Sequence, residues 1–133
     1  MTSTCYCSLL RAATRKVGAV YDSALAPLGI NIAQYALLRL VQHRQPVSFT
    51  ELGRIAELDR STVGRNVRVL ERLGLVEMGR GEDDQREAVV TLADHGRQVL
   101  DEAAPLWAEC QQKIERQVGR KKVGAPRELL NLL

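Results

Sequence analysis

Near the start of the chain, Cys7, Leu10, Thr14, Val17 and Tyr21 recur at alternating steps of three and four. That period lays them along one stripe of a helix over 5–26, which Gly29 ends. Asn31 is placed to cap a second helix running to Val41, with Ile32, Tyr35, Leu38 and Val41 inward. Val47 reads as a short strand. Ser48-Phe49-Thr50-Glu51 has the form of a capping box, in which the serine takes one orphan N–H and the glutamate reaches back to the cap. A short helix should follow, burying Leu52 and Ile55 and ending near Glu57. Asp59 opens the next helix, which runs to Leu73 and stops at Gly74. Residues 75–78 alternate as a strand, 79–86 form a polar loop, and 87–92 read as the returning strand. Asp94 is expected to cap a long helix to about Val118, with Val99, Leu100, Ala103, Leu106, Trp107, Cys110 and Ile114 on its apolar side. Pro105 should bend it. Residues 127–133 read as a last short helix.

The order is therefore helix, helix, short strand, helix, turn, helix, hairpin, helix. The fold class expected is mainly α with a small β-hairpin wing, arranged as a winged helix-turn-helix. The second helix of the pair carries the informative pattern. At about 100° per residue, Val63, Val67 and Leu70 fall on one side, and Ser61, Arg65, Arg68 and Arg72 on the other. Thr62 and Asn66 lie at the margin. Guanidinium groups grip guanine bidentately, asparagine suits adenine, and hydroxyls serve base or phosphate. Gly64 is read as a place where backbone approaches DNA closely. An ordinary solvated face is the competing reading; the capped helix before it and the hairpin after it weigh against that. The hairpin tip is mixed in charge. Asp84 and Arg86 point the same way on an extended chain, so the acid can hold the arginine for a narrow minor groove. An exposed turn with a weak surface pair stands beside that reading.

Composition narrows the classes. The chain has 133 residues, 45% hydrophobic and 26% charged, which suits one domain with a real core and excludes global disorder. No apolar run approaches the roughly 20 residues of a membrane span. The first residues lack a secretory pattern, so a cytoplasmic location and no membrane partner are expected. Net charge is +3, yet the stretch 44–86 holds eight basic and eight acidic residues. Any argument for an anionic partner must therefore rest on where charges sit. Three cysteines are too few for a disulfide scaffold, and Cys5-x-Cys7 lacks a second ligand pair at zinc spacing. No metal and no cofactor are expected. Phosphate-cradling, metalloprotease and nucleophile-turn motifs are all missing, which argues against an enzyme. A winged-helix protein-interaction module without DNA binding remains the alternative.

Several stretches together resemble the MarR family. They are Leu25-Ala26-Pro27-Leu28-Gly29-Ile30 with Gln34-Tyr35, Thr50-Glu51-Leu52, Leu58-Asp59-Arg60-Ser61-Thr62-Val63, and Leu70-Glu71-Arg72-Leu73-Gly74-Leu75-Val76. Asp83-Asp84-Gln85-Arg86 before Val89-Val90-Thr91-Leu92-Ala93 completes the pattern. The resemblance implies a homodimer joined by an N-terminal helix (1–30) and C-terminal helices (94–133), around a DNA-binding lobe (31–93). It implies double-stranded DNA as partner, in a pseudo-palindromic operator, and a repressor released by a small ligand or oxidant. By the same resemblance, Arg60, Ser61, Thr62, Arg65 and Arg68 occupy recognition-helix contact positions, with Asn66 beside them. Asp84 and Arg86 match the wing Asp-x-Arg, the arginine in the minor groove and the aspartate orienting it. The family's ligand site implies Arg11, Tyr21 and Tyr35 for an aromatic or carboxylate effector; plain packing of the tyrosines is the other reading. Cys7 stands where peroxide-sensing members carry a reactive cysteine, with Tyr21 matching one surrounding tyrosine and Arg11 and Ile32 replacing two others. Burial as a small hydrophobe at the dimer seam is the alternative for it.

Overall fold

The structure is a computed structural model and describes residues 5–83 and 86–133. The expected order of elements is present. Helix α1 spans Tyr6–Leu25 and passes through a 3-10 turn, Ala26–Leu28, to α2, Ile32–Arg44. Strand β1 (Val47–Ser48) leads into α3 (Phe49–Ala56) and α4 (Arg60–Arg72). The hairpin is β2 (Val76–Arg80) and β3 (Ala88–Leu92), followed by α5 (Asp94–Val118), α6 (Arg120–Val123) and α7 (Ala125–Leu132). The fold is thus mainly helical with a small sheet.

Local signals act as read at two helix boundaries. The Asn31 side chain accepts the Gln34 N–H at 2.9 Å, and the Gln34 side chain accepts the Asn31 N–H at 2.9 Å, a full capping box. At the end of α4, Gly74 takes φ +76°. The Leu75 N–H reaches the Leu70 carbonyl and the Gly74 N–H reaches that of Glu71, both at 2.9 Å. This double closure satisfies the last carbonyls and turns the chain into β2.

Two boundaries differ from expectation. Ser48 accepts the Glu51 N–H at 3.1 Å, but Glu51 does not return the bond. Its carboxylate holds Arg54, one turn on, through two bonds at 3.0 and 2.5 Å. A bidentate charge-assisted pair outcompetes one bond to a backbone amide. Asp94 is not the cap of α5 either. Ala93 has the extended capping geometry, and Asp94 is the first helical residue, where its charge suits the helix dipole and lies 3.4 Å from Arg97. Helix α5 continues through Pro105 as one element.

The core joins α2, α3, α4, the sheet and α5. Leu38, Val41, Leu52, Val63, Val67 and Leu70 are fully buried. Ile32 and Ile55, expected inward, are only half-buried. The sheet has three antiparallel strands in the order β1-β3-β2, with Val47 opposite Val90 and Arg80 opposite Ala88. Gln45 extends this joint, its side-chain oxygen accepting the Leu92 N–H at 2.8 Å. Helix α1 packs on α5, where the Tyr21 hydroxyl donates to Gln111 and the Cys110 thiol lies 3.7 Å from the Val20 carbonyl. Of the α1 stripe, only Tyr21 is buried in the protomer; Cys7, Leu10, Thr14 and Val17 are exposed. Among the described residues no single helix is long and apolar enough to cross a membrane.

Candidate nucleic-acid interface

Helix α4 begins on Asp59, whose carboxylate accepts the Thr62 N–H at 2.8 Å and the Ser61 hydroxyl at 2.6 Å. The Ser61 bond and then those of Thr62 hold the Asp59 carboxyl at about 2, so the cap stays charged at any ordinary pH. Ser61 consequently spends its proton inside the protein and meets a partner as an acceptor. One turn later Arg65 donates to the Thr62 hydroxyl at 3.3 Å, which steadies the arginine at the front of the helix.

The two faces of α4 fall where the 100° period put them. Val63, Val67 and Leu70 have no exposure, whereas Arg60, Ser61, Arg65, Asn66, Arg68 and Arg72 are exposed and Thr62 is half-buried. Gly64 is itself buried; a Cβ there would make ordinary contact at 3.8 Å with both the Phe49 ring and the Arg68 guanidinium.

Beside this helix stands the wing. Between them is a concavity of about 700 Å³ lined by Arg60, Arg65 and Arg68 from α4 and by Arg80 and Arg86 from the hairpin. The charges of the neutral stretch 44–86 are thus sorted in space: five guanidinium groups share one hollow. Asn66 belongs to a different depression, with Asn31 and Gln34 at the start of α2. Arg86 stands on the loop closed by the Gly81 N–H to the Glu87 carbonyl at 3.0 Å. Asp84, its expected partner, lies outside the described residues.

Comparison with known proteins agrees with this arrangement. Residues 28–87 match the sequence model of the MarR family. A solved structure of the M. tuberculosis transcriptional regulator MosR in complex with DNA is 32% identical, covers 97% of this chain and 93% of its own, and superposes with a TM-score of 0.86. The chain belongs to the MarR family of transcriptional regulators.

Another relative is the organic hydroperoxide resistance transcriptional regulator of Bacillus subtilis (strain 168). It is 27% identical over 100 residues, which is 75% of this chain and 68% of that protein. Alignments to three further regulators span about half of each. A point mutant of E. coli MarR complexed with operator DNA shares the fold at a TM-score of 0.84 and 22% identity, covering 93% of this chain and 89% of its own. These relatives are transcriptional regulators and not enzymes.

In this MarR-family chain the three expected effector residues do not converge. Tyr21 is packed between α1 and α5, its hydroxyl pushed upward in pKa by burial and then by Cys110. Tyr35 is buried in α2 against Trp107, with ring centroids 6.3 Å apart. Arg11 is exposed and stands about 15 Å along α1 from Tyr21 at 1.5 Å per residue. The arginine beside Tyr35 is instead Arg39, whose guanidinium lies 5.9 Å from the Tyr35 ring centre and 5.3 Å from that of Trp107. They line a hollow of about 320 Å³ between α2 and α5, which also includes His43 and Asp101. Arg39 follows Tyr35 by four residues, a same-face spacing that is a usable sequence signal; Trp107 carries no such local signal. Arg80 is likewise silent in the sequence, since a lone arginine at a strand end says nothing until the wing folds back. Cys7 is exposed on the first turns of α1. Nearby Cys5 is also exposed, its thiol lowered in pKa by bonds from Ser8. Among the described residues no cluster of His, Cys, Asp or Glu could hold a metal ion.

Proposed function

We propose that this protein is a homodimeric, sequence-specific DNA-binding repressor, released from a pseudo-palindromic operator by a small ligand or an oxidant. One observation carries the reading: α4 turns three valine and leucine side chains fully into the core while Arg65 and Arg68 stand exposed beside the basic wing hollow. A helix held this way enters a major groove with its guanidinium side toward base edges and phosphates. The DNA complex of the related regulator MosR supports it. In this reading Arg60, Ser61, Thr62, Arg65, Asn66 and Arg68 face the major groove, and Arg86, oriented by Asp84, reaches a minor groove. The protein works beside its operator in the cytoplasm.

Dimerisation is the work of 1–30 and 94–133. Leu10 is 51% exposed on α1 and Leu130 and Leu132 are 74% and 84% exposed on α7, apolar surface that a partner copy would cover. For release, the Tyr35–Arg39–Trp107 hollow offers aromatic walls and a guanidinium to an aromatic carboxylate, Arg39 taking the part expected of Arg11. Cys7, exposed, is the oxidant-responsive candidate.

The test is binding to operators selected from random duplexes by protein sedimenting at about twice 14.8 kDa. Arg65→Ala should weaken the operator complex by about 1–3 kcal/mol and relax preference at one base pair. Arg68→Ala should weaken all duplexes alike and flatten the salt dependence. Undiminished binding by both variants would favour the protein-interaction module instead. Adding aromatic acids or hydroperoxide to the complex, with Arg39→Ala and Cys7→Ser as controls, tests release.

A further inference from the structure

We propose that Gln45 is a positioning residue that fixes the pose of the wing relative to α4. Its side-chain carbonyl accepts the Leu92 N–H at 2.8 Å, across 47 positions of chain. The inference rests on the DNA-binding reading above, in which the wing reaches a minor groove, and adds to it a residue that touches no DNA.

Gln45 stands at a junction. It caps the C-terminus of α2, its own N–H donating to the Val41 carbonyl at 2.8 Å. The antiparallel register that sets Val47 opposite Val90 and Ser48 opposite Val89 also sets residue 45 opposite Leu92. Yet β1 is only two residues long, and Pro46, which has no N–H, precedes it. A side-chain carbonyl therefore takes the place that a main-chain carbonyl would hold in a longer strand. Without it the part-buried Leu92 N–H would be left unsatisfied. Glutamine and glutamate both carry an acceptor at that reach; asparagine is one methylene short.

The bond lies where it steers the wing. Leu92 is the last residue of β3, whose other end, Ala88, lines the hollow beside Arg86. The next residue, Ala93, donates to the Leu75 carbonyl just past the end of α4. The root of the wing is thus clamped from two sides, by the end of α2 through Gln45 and by the end of α4 through Leu75. Because β1 runs straight into α3, a slack joint at Gln45 lets the hairpin pivot against α3 and α4. A tilt at the root is largest toward the tip, on the side where Arg86 stands. Contacts made from α4 alone would not feel it.

The experiment measures affinity of the full chain for a selected operator, as parent, Gln45→Leu, Gln45→Asn and Gln45→Glu, each alone and combined with Arg86→Ala or Arg65→Ala. Gln45→Leu keeps the bulk and removes the acceptor, and should weaken binding on the order of tenfold. Gln45→Asn should act in the same direction and serves where leucine impairs folding. Gln45→Glu keeps the acceptor and should match the parent to within about twofold. Exchange of the Leu92 amide proton should quicken in the leucine and asparagine variants and not in the glutamate one. The loss caused by Gln45→Leu should shrink to under about twofold in the Arg86→Ala background, and should multiply with that of Arg65→Ala. A merely structural role would cost the same factor in both backgrounds. Equal factors would therefore overturn the proposal, as would unaltered exchange at Leu92. If Arg86→Ala binds as well as the parent, the wing reading itself falls and takes this with it. A weakened Arg86→Ala beside Gln45→Leu and Gln45→Asn variants that bind like the parent removes only the present proposal.

Discussion

Gly96→Ala is expected to destabilise the protein by about 3 kcal/mol or more, the upper range for forcing atoms into a packed interior. A Cβ at Gly96 would collide with the Leu75 carbonyl oxygen and stand 2.9 Å from the Leu92 side chain. The leucine side chain can give way, but the carbonyl cannot. The Leu75 carbonyl already accepts the Ala93 N–H at 3.0 Å, and the N–H of Leu75 closes the end of α4 at 2.9 Å. Relief therefore means lifting α5 off the point where α4 hands over to the wing. The substitution would gain at most about 1 kcal/mol of helix propensity, so the clash decides the sign. A domain of this size has only about 5–15 kcal/mol to lose. Denaturant unfolding should show a lower midpoint at unchanged slope. A variant as stable as its parent would show that the start of α5 does not abut the Leu75 carbonyl in solution.

Val67→Asp should have a larger effect still. Val67 has no exposure and belongs to the seam that fixes α4 to the body. Removing it forfeits about 1.5–3 kcal/mol of apolar burial. Placing an unpaired carboxylate there adds several more, or forces the group to stay protonated. Total losses on the order of 5 kcal/mol leave little folded protein. The sign of the pH dependence follows from burial. The carboxyl pKa would be raised in the folded state, so the folded form binds the extra proton and the penalty shrinks as pH falls. Unfolding should thus show a smaller deficit near pH 5 than near pH 7. DNA binding would fail together with the fold, whereas Arg65→Ala should lose binding with its melting curve intact. Identical melting of Val67→Asp and parent would mean that this face of α4 is not packed.

The contrast between those variants marks how far local pattern carries. Val63, Val67 and Leu70 share a face because an α-helix repeats about every 3.6 residues, and Arg65 and Arg68 then have to stand opposite. The Asn31 cap and the Gly74 stop were legible for the same kind of reason, since each partner group lies within five residues along the chain. Local reading failed where two local partners competed. Glu51 had both a backbone amide and Arg54 within reach, and the charged group won.

Everything with a span in space longer than a turn of helix came from packing. Tyr35 and Trp107 meet because α2 and α5 lie together, and Arg39 is drawn over both rings, so the guanidinium beside Tyr35 is not Arg11. β1 pairs with β3 and not with its chain neighbours, which turns a hairpin into a three-stranded sheet. The stretch 44–86 is electrically neutral as a string, yet its fold gathers five arginines around one hollow. Periodicity, caps and stops depend on bonds a few residues long, so the order of residues alone dictates the helices and the two faces of α4. Which distant side chains become neighbours, and hence where the positive charge accumulates, depends on how the buried faces pack, and no short window of the chain contains that information.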